Sequence, residues 1–361
     1  MTVTISERAK NILRSLLSGE ALSRAEIQKV TGQTRINTIR ELKRLADKGY
    51  VTVSGQARAT VYRITEKARR LNLWDVEAYL SLEPDKRRAR FASFEPKLLQ
   101  SVEGIIDSVY VVIENAAYKR QTAGDSLTAR KDLERFVIEL SWKSSKIEGN
   151  TYSLLDTERL IREAKEAPGH DHSEAIMILN HKKAFDYIWQ HQRAFKKLVI
   201  SGVEEIHRLM VTGLNVPFGL RNTPVGITGT VYVPPASQIE LASYLRDIID
   251  LINRLKKPLE KALACLVLIP YLQPFADGNK RTSRLLANAV LLAHGYPPLS
   301  YRSVDEQAYK GALILFYEQG ALANFRDLFL EQLKESALGY YFPTATSSLK
   351  TDKGGKKGAK T

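Results

Sequence analysis

Apolar residues recur at helical spacing from near the start of the chain. Ile12, Leu13, Leu16 and Leu17 fall on one helix face. Ser23, with Glu26 three positions on, reads as a capping box and predicts a helix over 24–30. Thr31-Gly32-Gln33 is the turn. Thr34 or Arg35 opens a second helix through Lys48, with Ile39, Leu42 and Leu45 facing inward, and Gly49 stops it. The period then drops to two. Tyr50-Val51-Thr52-Val53 alternates, 54–57 turns, and 60–64 returns as a second strand. Helix, helix, hairpin is the order of a winged helix-turn-helix, expected over residues 1–66.

From about residue 96 helical periodicity takes over. Residues 126–148 carry Leu133, Phe136, Val137, Leu140 and Ile147 on one stripe. Further helices are predicted at 153–165, 173–193, 199–213, 238–255, 258–272, 280–294, 306–320 and 322–338. The fold class is therefore mainly α. Residues 67–95 are charged and connect the two parts. Their basic run Lys86-Arg87-Arg88-Ala89-Arg90 is either a solvated linker or an aid to DNA binding. Residues 344–361 are rich in Ser, Thr, Gly and Lys with no apolar face, so they are expected to be a disordered, solubilising tail. The apolar run 262–269 is too short to cross a bilayer and ends at Pro270.

Composition narrows the classes. The 361 residues are 44% hydrophobic and 26% charged, as in an ordinary soluble protein. The formal net charge of +14 points to a polyanionic partner, nucleic acid or nucleotide. Cys265 is the single cysteine, which excludes an internal disulfide and fits a reducing cytosol. The N-terminus lacks the basic and apolar regions of a signal peptide, so a cytoplasmic location and no membrane partner are expected. On the second helix, Thr34, Arg35, Asn37, Thr38 and Arg40 would face base edges of double-stranded DNA. Arg58 on the wing would meet a phosphate.

The densest chemistry lies in Gln273-Pro-Phe-Ala-Asp-Gly-Asn-Lys-Arg-Thr-Ser-Arg284. Gly278 lets a ligand approach the backbone closely, and the N–H groups opening the next helix attract anions. Arg281 and Arg284 project from one side of that helix as a cationic fork for a polyphosphate. Asp277 is a hard oxygen ligand placed for Mg²⁺ bridging to phosphates. Gln273 does not titrate, so it takes no proton. His170, His172, His181, His191, His207 and His294 offer no ready substitute. His207 is expected to be structural.

This stretch resembles the signature of the Fic (Fido) family. Phe275, Asp277, Gly278, Asn279, Arg281 and Arg284 match it, and Gln273 stands where that family has its general-base His. Lys280 stands where it has a second Gly, as in the Doc branch, which transfers a phosphoryl group. Two other segments resemble the family. Ser144, Glu148 and Gly149 match its inhibitory motif, here in a helix around 126–149 ahead of the core. Ile227, Thr228, Gly229, Thr230 and Tyr232 match its target-holding flap, expected as a β-hairpin.

The resemblance implies an all-helical Fic fold over 96–340 with a hairpin flap. It implies transfer of AMP from ATP, with Mg²⁺, to a hydroxyl side chain of a protein target. It further implies restraint by Glu148 pairing with Arg284 in the space of the γ-phosphate, and a homodimer. With Gln273 in the base position, catalysis is expected to be weakened or lost. The alternatives are a DNA-binding regulator that senses nucleotide and a Doc-like phosphoryl transferase.

Overall fold

The computed structural model describes residues 5–106 and 126–340. The tail expected to be disordered, 344–361, lies outside the described residues. Helix α1 (Glu7–Ser15) is followed by a two-residue strand β1 (Leu22–Ser23), then α2 (Arg24–Thr31) and α3 (Arg35–Asp47). Strands β2 (Val51–Ser54) and β3 (Val61–Ile64) form the hairpin. β3 lies between its two antiparallel neighbours in the order β1-β3-β2. The capping box holds: Ser23 Oγ accepts from the Glu26 N–H, and the Glu26 carboxylate accepts from the Ser23 N–H. The strand β1 had no alternation long enough to reveal it.

Ile12, Leu13, Leu16, Ile27, Leu42, Leu45, Val51 and Ile64 bury one another as a core of their own. Two details of α3 differ from expectation. Ile39 faces outward, 45% exposed, while Thr38 and Glu41 join Leu42 and Leu45 on the packed face. A helix repeat of 3.6 residues puts 38, 41, 42 and 45 on one stripe and rotates 39 away from it. Thr38 is wholly buried, with its hydroxyl donating to the Thr34 carbonyl at 3.0 Å, so it is not placed to touch a base edge.

The connecting residues hold α4 (Glu66–Arg69) and α5 (Val76–Leu80). They are not a free linker. Arg87 is buried, and Asn324 donates to the Trp74 carbonyl at 3.1 Å. Nine helices build the described part of the body: α6 (Ser126–Ile147), α7 (Leu154–Glu163), α8 (His172–Gln190), α9 (Ile200–Val211), α10 (Gln238–Arg254), α11 (Pro258–Leu272), α12 (Asn279–Ala293), α13 (Glu306–Gln319) and α14 (Ala323–Gly339). Each predicted helix of the body is present within three residues at either end. Helix α11 is buried all round, from Leu259 to Leu272, as an apolar helix at the centre of a bundle must be. Cys265 lies inside it, and burial pushes its thiol up to about 12. No helix among the described residues is long and apolar enough to cross a membrane.

The flap departs from expectation. Residues 225–232 form no strand. They turn at Thr228-Gly229, and the segment touches a strand-like partner only through a single bridge from Val233 to Ser93. Gly229 sits at φ 82°, and Thr230 and Val231 bond to a helix side chain instead of to each other's backbone. Alternation alone does not make a hairpin when side chains intercept the ladder groups.

Candidate functional site

Helix α11 ends on Gln273, which takes a left-handed backbone at φ 51°. Arg221 secures this bend, its Nε donating to the Gln273 carbonyl at 2.7 Å. The Gln273 amide is spent on both sides. Its Nε2 donates to the Pro270 carbonyl at 2.7 Å, and its Oε1 accepts from Asn279 Nδ2 at 2.8 Å. Asn279 also grips Phe275, accepting from its N–H at 3.0 Å and donating to its carbonyl at 2.9 Å. These bonds close the loop into a rigid turn.

Gly278 then opens α12 at φ 79° with no side-chain cap. The N–H groups of that first turn have no carbonyl within the helix to meet, so they remain available to an anion. A methyl at Gly278 would lie 3.2 Å from Val211 Cγ1, so the bare backbone is needed for the approach of α9.

From α9, His207 stacks on Phe275 with ring centroids 3.8 Å apart, and its Nε2 donates to the Asp277 carbonyl at 3.0 Å. Burial lowers its pKa to about 4, against the opposing pull of that carbonyl, so the ring is neutral. It holds the loop from beneath and does not line the cavity. The expectation of a structural role agrees with this, but the loop as its target was invisible in sequence across 70 residues.

The cations are arranged differently from a simple fork. Arg281 turns back to Asp277 at 3.0 Å, leaving its Nη1 buried without a partner. Arg284 does not line the cavity. It is wholly buried and points at the end of α6. There Nε donates to Ser144 Oγ at 2.8 Å, Nη2 to the Ser144 carbonyl at 2.8 Å, and Nη1 to Glu148 at 2.9 Å. Helix α6 stops at Ile147, so Glu148 sits in the tight turn before Gly149 (φ 101°) instead of on the helix face of Ser144. Both still reach the same guanidinium.

Lys280 adds a second contact to Glu148 at 3.3 Å. Burial pushes the Glu148 carboxyl up, but Arg284 and Lys280 together outweigh it and hold the group below the usual carboxylate range. Ser144 Oγ accepts a hydrogen bond from Arg284 Nε and shares a second with His181 Nε2 at 2.6 Å. Burial, then Arg284, keep His181 neutral and well below its ordinary value.

Above the loop lies a cavity of about 460 Å³. Gln273, Asp277, Gly278, Asn279, Lys280 and Arg281 form its floor, and Glu148 stands at its edge. Ile227, Thr228 and Gly229 form one wall. Thr230 and Tyr232, expected beside them, do not line it. Thr230 bonds to Glu318, and Tyr232 is buried with its hydroxyl on the Tyr271 carbonyl at 2.6 Å. The opposite wall is a stripe of α13, Gln307, Lys310, Ile314 and Tyr317, and Leu80 of α5 completes it. Sequence reading missed this wall. Its spacing shows a helix face, but nothing in the residue types marks it as a lining.

Asp277 is the one exposed carboxylate on the floor, with one oxygen on Arg281. No group of three or more His, Cys, Asp or Glu side chains converges among the described residues. Mg²⁺ is typically held by one or two carboxylates and by substrate phosphates, so a single Asp277 beside a turn with unpaired helix N–H groups fits it. Arg35 and Arg40 are exposed on α3, and Thr34 is taken up in capping that helix, its oxygen accepting from the Asn37 N–H. Arg58 lies in the short 3₁₀ turn (Ala57–Ala59) between β2 and β3.

Comparison with known proteins gives concordant results. The sequence profile of the Fic/DOC family matches residues 197–291. A protein adenylyltransferase Fic from Nematostella vectensis is 28% identical over 234 residues, covering 61% of this chain and 52% of its own. A namesake from Aedes aegypti is 26% identical over 286 residues, covering 75% and 55%. The chain spans about half the length of these curated relatives. Among solved structures, a Fic domain containing signaling protein from Bacteroides thetaiotaomicron aligns with TM-score 0.55 at 20% identity, over 63% of this chain and 94% of that one. Fic-1 from C. elegans aligns with TM-score 0.55 at 22% identity, over 67% and 70%. These structures share the fold.

Proposed function

Residues 197–291 form a Fic/DOC family domain, and from that premise we propose that the cavity binds ATP and is restrained by Glu148, with AMP transfer to a protein hydroxyl weakened by Gln273. The observation that carries this is the placement of Glu148. An anionic group already sits against Arg284 and Lys280 at the edge of an anion-binding turn. A phosphate arriving there competes with that carboxylate for the same cations.

Gly278, Asn279 and Lys280 supply backbone N–H groups to the phosphates, and Arg281 has a spare Nη1 to offer. Asp277 would hold Mg²⁺, which supplies charge neutralisation at the phosphates when bound. Phe275, clamped by Asn279 and His207, fixes the turn. A target segment lies along Ile227, Thr228 and Gly229. The missing part is proton acceptance. Both ends of the Gln273 amide are hydrogen-bonded within the loop, and an amide does not titrate.

Labelled AMP incorporation tests this. Glu148→Gly is expected to bind ATP more tightly than the native chain. Adding Gln273→His is expected to raise transfer by roughly 10²–10⁴-fold, the usual worth of a general base. His tolerates the left-handed backbone of position 273 better than most residues do. Strong transfer by the native chain, or no ATP binding by Glu148→Gly, would overturn the proposal. Mass analysis of modified targets separates AMP from the phosphate that the Doc-like reading requires.

One observation favours a second role for residues 1–66 as a winged-helix DNA-binding module. Helix α3 packs one face and leaves Arg35 and Arg40 exposed on the other. Binding to a duplex is tested by its salt dependence. Homodimer formation is part of the proposal by family resemblance, and sedimentation of the full chain tests it.

A further inference from the structure

The connection between the N-terminal core and the body runs into the cavity wall through one buried carboxylate. Glu318 on α13 has no exposed surface. Arg87, from the connection, donates through Nη1 to both its oxygens at 3.2 and 3.3 Å, and through Nη2 to the Gly229 carbonyl at 2.7 Å. Tyr79 donates its hydroxyl to the same carboxylate at 2.6 Å. From the residues that directly follow the wall, Thr230 Oγ1 donates at 2.6 Å and the Val231 N–H at 3.1 Å. The Glu318 carbonyl also accepts from the N–H groups of Arg90 and Phe91 at 2.8 and 3.0 Å.

This wall has no ladder of its own. Its turn at Gly229 and its step at Val231 are held by Arg87 and Glu318, and Thr230 also accepts from the Tyr232 N–H at 3.1 Å. A buried ion pair is a poor device for stability alone, since a well-packed apolar pair does as well or better. What it supplies here is fixed geometry among three segments distant in sequence. The upstream end of the connection is held by the N-terminal core, where Arg14 Nε donates to the Leu73 carbonyl at 2.9 Å.

We propose that Arg87 and Glu318 are positioning residues, which make the placement of wall residues Thr228 and Gly229, and of Thr230 and Val231 that follow them, depend on the docked connection. Whatever loosens the connection at its N-terminal end then loosens that side of the cavity. The use of the wall to hold a target rests on the function proposed above, whereas its placement by Arg87 does not.

Amide hydrogen exchange on the full chain without ligand tests this independently of nucleotide. Arg87→Met with Glu318→Gln removes both charges and leaves neither stranded. Exchange at Val231 and Tyr232 is expected to rise on the order of tenfold, while amides within α11 keep their protection. Arg87→Lys keeps the charge but lacks the fork that spans Glu318 and Gly229, so it is expected to give an intermediate rise. Should the double variant fail to fold, Thr230→Val removes the hydroxyl's bonds to Glu318 and to the Tyr232 N–H, and is expected to raise exchange at Val231. Unchanged exchange at Val231 and Tyr232, or a rise shared equally by α11, would overturn the assignment. An ATP titration of Glu148→Gly decides the nucleotide reading separately.

Discussion

Asn279 uses both ends of its amide within one turn, and Gln273 does the same beside it. That pairing explains why a residue unable to titrate still fits the site. Its shape is kept by hydrogen bonds that a neutral amide makes well. The contiguous residues of the loop were legible in sequence because the turn brings neighbours together. His207 was not, because its contact with the loop is made by helix packing. Its neutrality has a measurable consequence. As pH falls, the unfolded chain takes up a proton near 6.5 while the folded ring waits until about 4. The stability this lends is complete above 6.5 and is lost on acidification toward 4. Over that window the native chain should lose about 3 kcal/mol more than His207→Gln, measured by denaturant unfolding. Parallel pH profiles for the two proteins would refute it.

At the scale of elements, the helices were legible because each buries a stripe at its own period. The flap was not, because Thr230 and Val231 bond to Glu318 and no ladder forms. Ile39 failed for a related reason. The phase of α3 is set by Thr38, Leu42 and Leu45, and position 39, one step on from Thr38, is turned out of the packed stripe. The junction between α11 and α12 carries its own prediction. Gly278→Ala puts a Cβ at positive φ and against Val211. It is expected to destabilise by about 1–2 kcal/mol and to lower the melting temperature by several degrees. ATP affinity should fall with it, since the first turn of α12 shifts. An unchanged melt would show that the loop relaxes freely.

At the scale of the whole molecule, charge and connectivity matter together. The net charge of +14 would attract any duplex, so affinity alone does not establish a DNA-binding surface. The expected outcome is specific. Arg58→Ala, at the wing position expected to meet a phosphate, should lower the slope of log affinity against log salt by about 1, while the exposed Lys256 of the body should leave it unchanged when replaced by Ala. Equal effects from both would assign the binding to bulk charge.

The two halves meet where α5 lies on α13. A single methyl at Gly311 would come within 2.5 Å of Val76 and 2.6 Å of Leu80, and Leu80 is itself part of the cavity. The missing side chain there acts as a spacer of zero thickness. A substituent at that one position is a shim that must push the Val76 and Leu80 side chains aside, at the seam where the N-terminal half borders the chamber.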